Sequence, residues 1–332
     1  MKTAPAIYYR LIALWVLCEA MLGGIIHAAR IPVSGLIVGS CAVVCICLIA
    51  FYVPSKGAII KATIIVEIFK MMLSPQSPPL AYFAVFFQGL MGEILFWNRN
   101  FYRLSCFLLG LIALLESGLQ RIVVLTIVYG NNFWKAINNF INELTKQNHF
   151  TNYSVIIGIV YVALHILVGL LIGWWAGIIP KKVKQWNEKY GKIEEARNEM
   201  EALAVKPKRK RWIKKGVLVI WICLILLYCQ SYFNIGKPIL PSSLPLQIFI
   251  RSVIVVIAWY LVIGPLVSFL IKRWLQKKQV RSKEEIQQIV ELLPDFRELV
   301  RNSWKRSSDK KGVSRLILFS KIVFARVLHN ES

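Results

Sequence analysis

The chain contains no GxxxxGK[ST], no HExxH, no GxSxG and no CxxC, and its four histidines and seven cysteines never fall at metal-ligand spacing. These absences remove a P-loop nucleotide site, the zincin and serine-hydrolase motifs, and a zinc or dithiol centre. No cofactor, metal or catalytic residue is therefore expected. Charge is scarce as well, with Asp, Glu, Lys and Arg making up 17% of the 332 residues. Hydrophobic residues reach 57% and the mean hydropathy is +0.56, too oily for a soluble protein. Composition alone points to an integral membrane protein.

A hydrocarbon core of about 30 Å takes roughly 20 apolar helical residues. Stretches of that kind recur at 7–29, 33–53, 57–74, 79–97, 103–130, 153–179, 213–235 and 248–272, which predicts an all-α polytopic protein. The first stretch exceeds a signal-peptide core of about 7–15 residues and lacks a small-residue cleavage site, so it is expected to stay in the membrane. Cys18, Cys41, Cys45, Cys47, Cys106, Cys223 and Cys229 all lie inside these spans and read as small packing residues.

Basic residues are unevenly placed. Segments 181–215 and 272–332 hold 13 and 15 Lys/Arg, 28 of the 41 in the chain, whereas the opposite loops carry Arg30, Lys135, Lys146 and Lys237. The positive-inside rule then makes both termini cytoplasmic, and a bacterial inner membrane is the expected location. The run "KPKRKRWIKK" at 206–215 directly precedes a span, so anionic lipid headgroups are its expected partner rather than nucleic acid.

Four segments follow from this pattern: a six-span membrane domain at 1–180, a basic cytoplasmic linker at 181–212, a two-span module at 213–272 and a basic amphipathic tail at 273–332. Helix is expected over 186–204 of the linker region. In the tail, "SKEEIQQIVELLPDFRELVRNSW" opens with a capping box of Ser282 and Glu285 and sets Ile286, Ile289, Val290 and Leu293 on one face, with Pro294 expected to end or kink the helix. A last amphipathic segment, "VSRLILFSKIVFARVL", follows. Both are too short and charged to span, which leaves the membrane interface or another subunit as the surface they meet.

Ionisable groups at bilayer depth cost at least about 2.5–3.5 kcal/mol each on insertion scales, so they are usually paired, water-facing or functional. The six-span half holds Glu19, His27, Lys61, Glu67, Lys70, Gln88, Glu93, Glu116, Gln120, Arg121 and His165, while the last two spans hold little beyond Arg251. Glu116 and Gln120 share a helical face, Arg121 points partly aside toward a neighbour such as Glu67, and Lys61 is placed to snorkel. A buried ion-pair network that only fixes packing and a ligand site both remain open on this pattern. Small residues mark close helix contact at Gly169, Gly173 and Gly177 and at Ala20, Gly24 and Ala28.

The segments "HAARIPVSGLIVGS", "SPPLAYFAVFFQGLMGEILF" and "ALHILVGLLIGWWAGIIP" within residues 5–180 resemble the substrate-binding S component of energy-coupling factor transporters. That resemblance implies a six-helix bundle that captures a vitamin or similar water-soluble nutrient near the outer surface. It further implies a first helix that packs, through Ala20, Gly24 and Ala28, on a membrane T component coupled to cytoplasmic ATPases. The pocket would be built from Glu67, Gln88, Glu116, Gln120, Arg121 and His165, with "SPQSPP" as a cover and Asn132 and Trp134 at the rim. Amides and an aromatic face suit a flat polar heterocycle.

Residues 181–332 depart from the family, whose members end near the sixth span. They read as a T-like module in which Ala325 and Arg326 are similar to a coupling motif, as an accessory module, or as a dimerising segment. Two other functional readings stand beside transport: a membrane scaffold recruiting a cytoplasmic partner through the basic tail, and an intramembrane enzyme using a Glu or His of the spans.

Overall fold

A computed structural model describes residues 3–23, 34–74, 77–145, 152–190 and 243–328. Among them there is no strand. The helices are α1 (Thr3–Val16, continued by a π-helical stretch at Leu17–Leu22), α2 (Ser34–Tyr52), α3 (Ala58–Leu73), α4 (Pro79–Leu95), α5 (Tyr102–Tyr129), α6 (Asn131–Thr145), α7 (Tyr153–Tyr190), α8 (Ser243–Ala258), α9 (Gly264–Arg281), α10 (Lys283–Arg306) and α11 (Gly312–Val327). Among the described residues, four helical runs are long and apolar enough to cross a membrane: Ser34–Tyr52, Tyr102–Tyr129, Tyr153–Glu188 and Leu246–Val280. The chain is an all-α protein of membrane type. The expected span at 213–235 lies outside the described residues, as does the linker from residue 191.

The residues form two compact units. One comprises Met1–Leu114, Leu167–Lys206 and Ile271–Ser332, the other Leu115–Ile166 and Pro207–Leu270. The core of the first is a continuous apolar cluster running through α1, α2 and α3, with Leu11, Ile12, Trp15, Ile46, Leu48, Ile65 and Ile68 fully buried. Glycine sets how closely its helices approach. A Cβ on Gly89 of α4 would lie 2.0 Å from the Thr63 hydroxyl of α3, and one on Gly92 would lie 2.5 Å from Ile46 of α2. Between α5 and α7 the backbones themselves touch: a Cβ on Gly110 would lie 2.2 Å from the Gly169 carbonyl oxygen, and one on Gly173 would lie 2.5 Å from that of Cys106. The small-residue stripe of α7 is thus an intramolecular helix contact, with Cys106 acting as a packing residue. Ala20 is buried, while Gly24 and Ala28 lie outside the described residues.

The tail folds back onto this same unit. Ile286, Ile289, Leu293 and Phe296 of α10 bury their side chains against the core, α10 and α11 both contact α1, and Trp175 of α7 meets Phe324 of α11 edge to face. An ion pair of 2.5 Å joins Lys61, whose side chain is 52% exposed, to Glu285. That pairing also takes Glu285 from the expected capping box, and the Ser282 side chain makes no cap bond. Helix α10 runs unbroken through Pro294. The residue that loses a hydrogen bond there is Val290, exposed like Pro294 itself, so water can replace it while the buried row continues past. Arg315 ties α11 to the end of α10 by stacking 4.1 Å over the Trp304 ring and donating to the Trp304 carbonyl oxygen at 3.2 Å.

In the second unit α6 is a helix where a loop is expected over 131–152. Gly130, at φ +73°, turns α5 into α6, and Asn138 accepts from the Ser154 amide at 2.7 Å to start α7.

Candidate functional site

The first unit holds a polar cluster deep in its apolar core. Glu19 enters from the π-helical stretch after α1, a local widening common at functional positions. Glu67 and Lys70 share a face of α3, and Tyr82 comes from α4. Glu19, Glu67 and Lys70 are each at most 4% exposed. The Lys70 ammonium donates to Glu19 Oε2 at 3.0 Å and to the Ala81 carbonyl oxygen at 2.9 Å, and it sits 5.7 Å from the Tyr82 ring centroid.

Glu67 is left over. Among the described residues neither of its carboxylate oxygens has a hydrogen-bond partner, and the same holds for the Tyr82 hydroxyl, the Gln88 Oε1 and the Trp15 indole nitrogen. Buried polar atoms are rarely left in this state in a finished core, and each costs about 1–3 kcal/mol. Gln88 sits beside Gly39 of α2, where an added Cβ would lie 3.4 Å from its amide nitrogen. Glu93, at the far end of α4, is spent locally: its carboxylate accepts from the Gly57 amide at 2.6 Å and the Ile60 amide at 3.4 Å, at the positive end of the α3 dipole. Beside it opens a cavity of about 330 Å³ lined by Val53, Pro54, Lys56, Ile59, Phe96 and Trp97, with Lys56 4.4 Å over the Trp97 ring.

The other expected site residues belong to the second unit. His165 is 1% exposed, meets the Tyr161 ring at a tilt with centroids 4.4 Å apart, places Nδ1 2.9 Å from the Tyr161 carbonyl oxygen, and packs on Gly118. That is the environment of a packing histidine. Trp134 donates to the Thr126 hydroxyl at 3.1 Å, and Asn132 to Gln247 Oε1 at 2.7 Å, so both are held within their own unit. Arg121 is exposed, Gln120 is half-buried, and Glu116 keeps one carboxylate oxygen buried without a partner. Glu67 and Gln88 thus fall in one unit and Glu116, Gln120, Arg121, Asn132, Trp134 and His165 in the other.

Tyr82 and the Glu19–Lys70 pairing carry no local sequence signal, because the partners come from three helices. The face-sharing of Glu67 and Lys70 is legible, yet the ammonium goes to Glu19. No group of three or more His, Cys, Asp or Glu able to hold a metal ion occurs among the described residues. Comparisons with protein-family models, with curated proteins and with solved structures gave no match.

Proposed function

We propose that the chain is the solute-binding membrane component of an uptake system. It takes a small water-soluble nutrient, and separate subunits hydrolyse ATP. The observation that supports this reading is the pair of buried, unpartnered polar groups on Glu67 and Tyr82 by the Glu19–Lys70 pair, with the unpartnered Gln88 Oε1 a third such atom in the same unit's core. In a membrane-type protein such atoms are stabilised by a bound polar molecule, whose groups supply the missing hydrogen bonds. The S-component resemblance supplies the T component and ATPases as partners and a six-helix bundle in a bacterial inner membrane, and the apolar runs at 213–235 and 248–272 add two further spans. The basic linker and tail favour cytoplasmic termini.

The test is native mass spectrometry of the gently solubilised protein from its own host, scoring retained metabolites and co-purifying subunits together. A retained metabolite that is lost in Glu67→Gln and Gln88→Ala supports the reading. A ligand-free protein whose variants change only stability overturns it.

A second reading, a membrane scaffold, draws on the tail. The first turns of α11 expose Val313, Leu316 and Ile317 beside Lys310 and Lys311, an amphipathic, basic surface suited to anionic headgroups. Deleting 312–328 separates the readings: uptake that survives with loss of a partner assigns the tail to an adaptor role.

A further inference from the structure

Among the described residues the charges of the Glu67 cluster do not balance. Two carboxylates, Glu19 and Glu67, face one ammonium, and Lys70 commits two of its three donors to Glu19 and to the Ala81 carbonyl. The other titratable groups near Glu67 are few. Glu19 faces it from the end of α1 and Tyr82 from α4, while Cys41 and Cys45 of α2 lie toward Glu19. Among the described residues none of these adds a positive charge. An ionised carboxylate that is 3% exposed and accepts no hydrogen bond costs several kcal/mol, far more than a fold retains without compensation. A compensating group is therefore cationic and small, and the Tyr82 hydroxyl, from a helix packed on α3, is also unpartnered among the described residues.

We propose that the Glu67 carboxylate is an exchangeable cation site, occupied by a proton or a sodium ion, with the Tyr82 hydroxyl as its second contact and the Glu19–Lys70 pair as fixed neighbours. Loading this site neutralises the cluster, so solute binding becomes dependent on the cation. That dependence rests on the cluster being the solute site proposed above; the cation site itself does not.

The experiment uses the full chain in lipid nanodiscs. Infrared spectra are recorded across pH in sodium and in choline buffers, and binding of radioactive sodium is measured in parallel. A protonated-carboxyl stretch that vanishes in Glu67→Gln identifies the occupant as a proton. Saturable sodium binding that vanishes in Glu67→Gln identifies it as sodium. If Glu67→Gln does not fold, Tyr82→Phe replaces it: the hydroxyl contact predicts a shifted carboxyl stretch in the first case and weakened sodium binding in the second. A wild-type protein with neither signal, or signals unmoved by the variants, overturns the site. A signal present in protein that retains no solute keeps the cation site and removes the transport reading, so the two fail separately.

Discussion

The contact between α5 and α7 has no room for a methyl group, and this can be tested directly. In Gly110→Ala the new Cβ starts 2.2 Å from the Gly169 carbonyl oxygen and 3.0 Å from the Gly173 Cα, both of them backbone atoms that no rotamer change can move. Ordinary contact begins near 3.4 Å, so the two helices must part by about 3.4 − 2.2 = 1.2 Å. Overpacking of this kind costs about 1–3 kcal/mol. The intrinsic helix preference of Ala over Gly, about 1 kcal/mol, offsets part of it, leaving a net loss of up to about 2 kcal/mol. Gly158 lies on the same α7 with nothing within 4 Å of an added Cβ, so Gly158→Ala is expected to gain up to about 1 kcal/mol. Gly169→Ala fills the same gap from the other side, and the double variant should therefore cost less than the sum of the singles. Thermal midpoints of the detergent-solubilised full chain, read as surviving monodisperse protein after heating, give the ranking. Equal midpoints for Gly110→Ala and Gly158→Ala, or strict additivity of Gly110→Ala with Gly169→Ala, would refute the close backbone approach.

Three further outcomes are expected. Lys70→Met leaves Glu19 and Glu67 buried without an ammonium and should cost about 3–5 kcal/mol, whereas Glu19→Gln, which leaves Glu67 to balance Lys70, should cost less; thermal midpoints of the two variants check this ranking. Glu93→Ala frees the amides of Gly57 and Ile60 and should lower stability by about 0.5–2 kcal/mol, with Glu93→Gln intermediate because it keeps an acceptor but loses the charge. In the tail, Phe296→Ala should cost about 3–5 kcal/mol and speed proteolysis within 283–328, whereas Glu285→Ala removes a pair whose Lys61 end is 52% exposed and should change stability by less than about 1 kcal/mol. Equal proteolysis of these two variants would contradict the apolar docking of α10.

Much of the helix layout is legible because a membrane helix is a local property: about 20 apolar residues between polar breaks. The stretches expected at 33–53, 57–74, 79–97 and 103–130 are helical, as α2, α3, α4 and α5, to within about two residues, though of these only α2 and α5 are long and apolar enough to cross a membrane. Helix α6 escapes that reading because its composition is mixed. Its signal is periodicity, with Phe133, Ile137, Phe140, Ile141 and Leu144 recurring at helical spacing in "NNFWKAINNFINELT". The site is legible only in part. Glu67 and Gln88 stand out as polar residues within apolar runs, but Lys70 meets Glu19 across 51 positions of sequence, and no local pattern encodes that choice. His165 stands out equally and is occupied with packing, because an imidazole beside a glycine satisfies itself on its own helix.

The docking of α10 on α1 has a consequence for synthesis. Helix α1 is made before α10, and part of its final packing partner, the row from Ile286 to Phe296, is translated more than two hundred residues later. Until then the first helix waits with an unfinished surface, and the loop to be closed spans most of the chain. Ribosome stalling or premature termination anywhere before residue 286 would release a protein inserted in the membrane but uncovered along α1, the kind of surface that quality-control proteases and chaperones recognise.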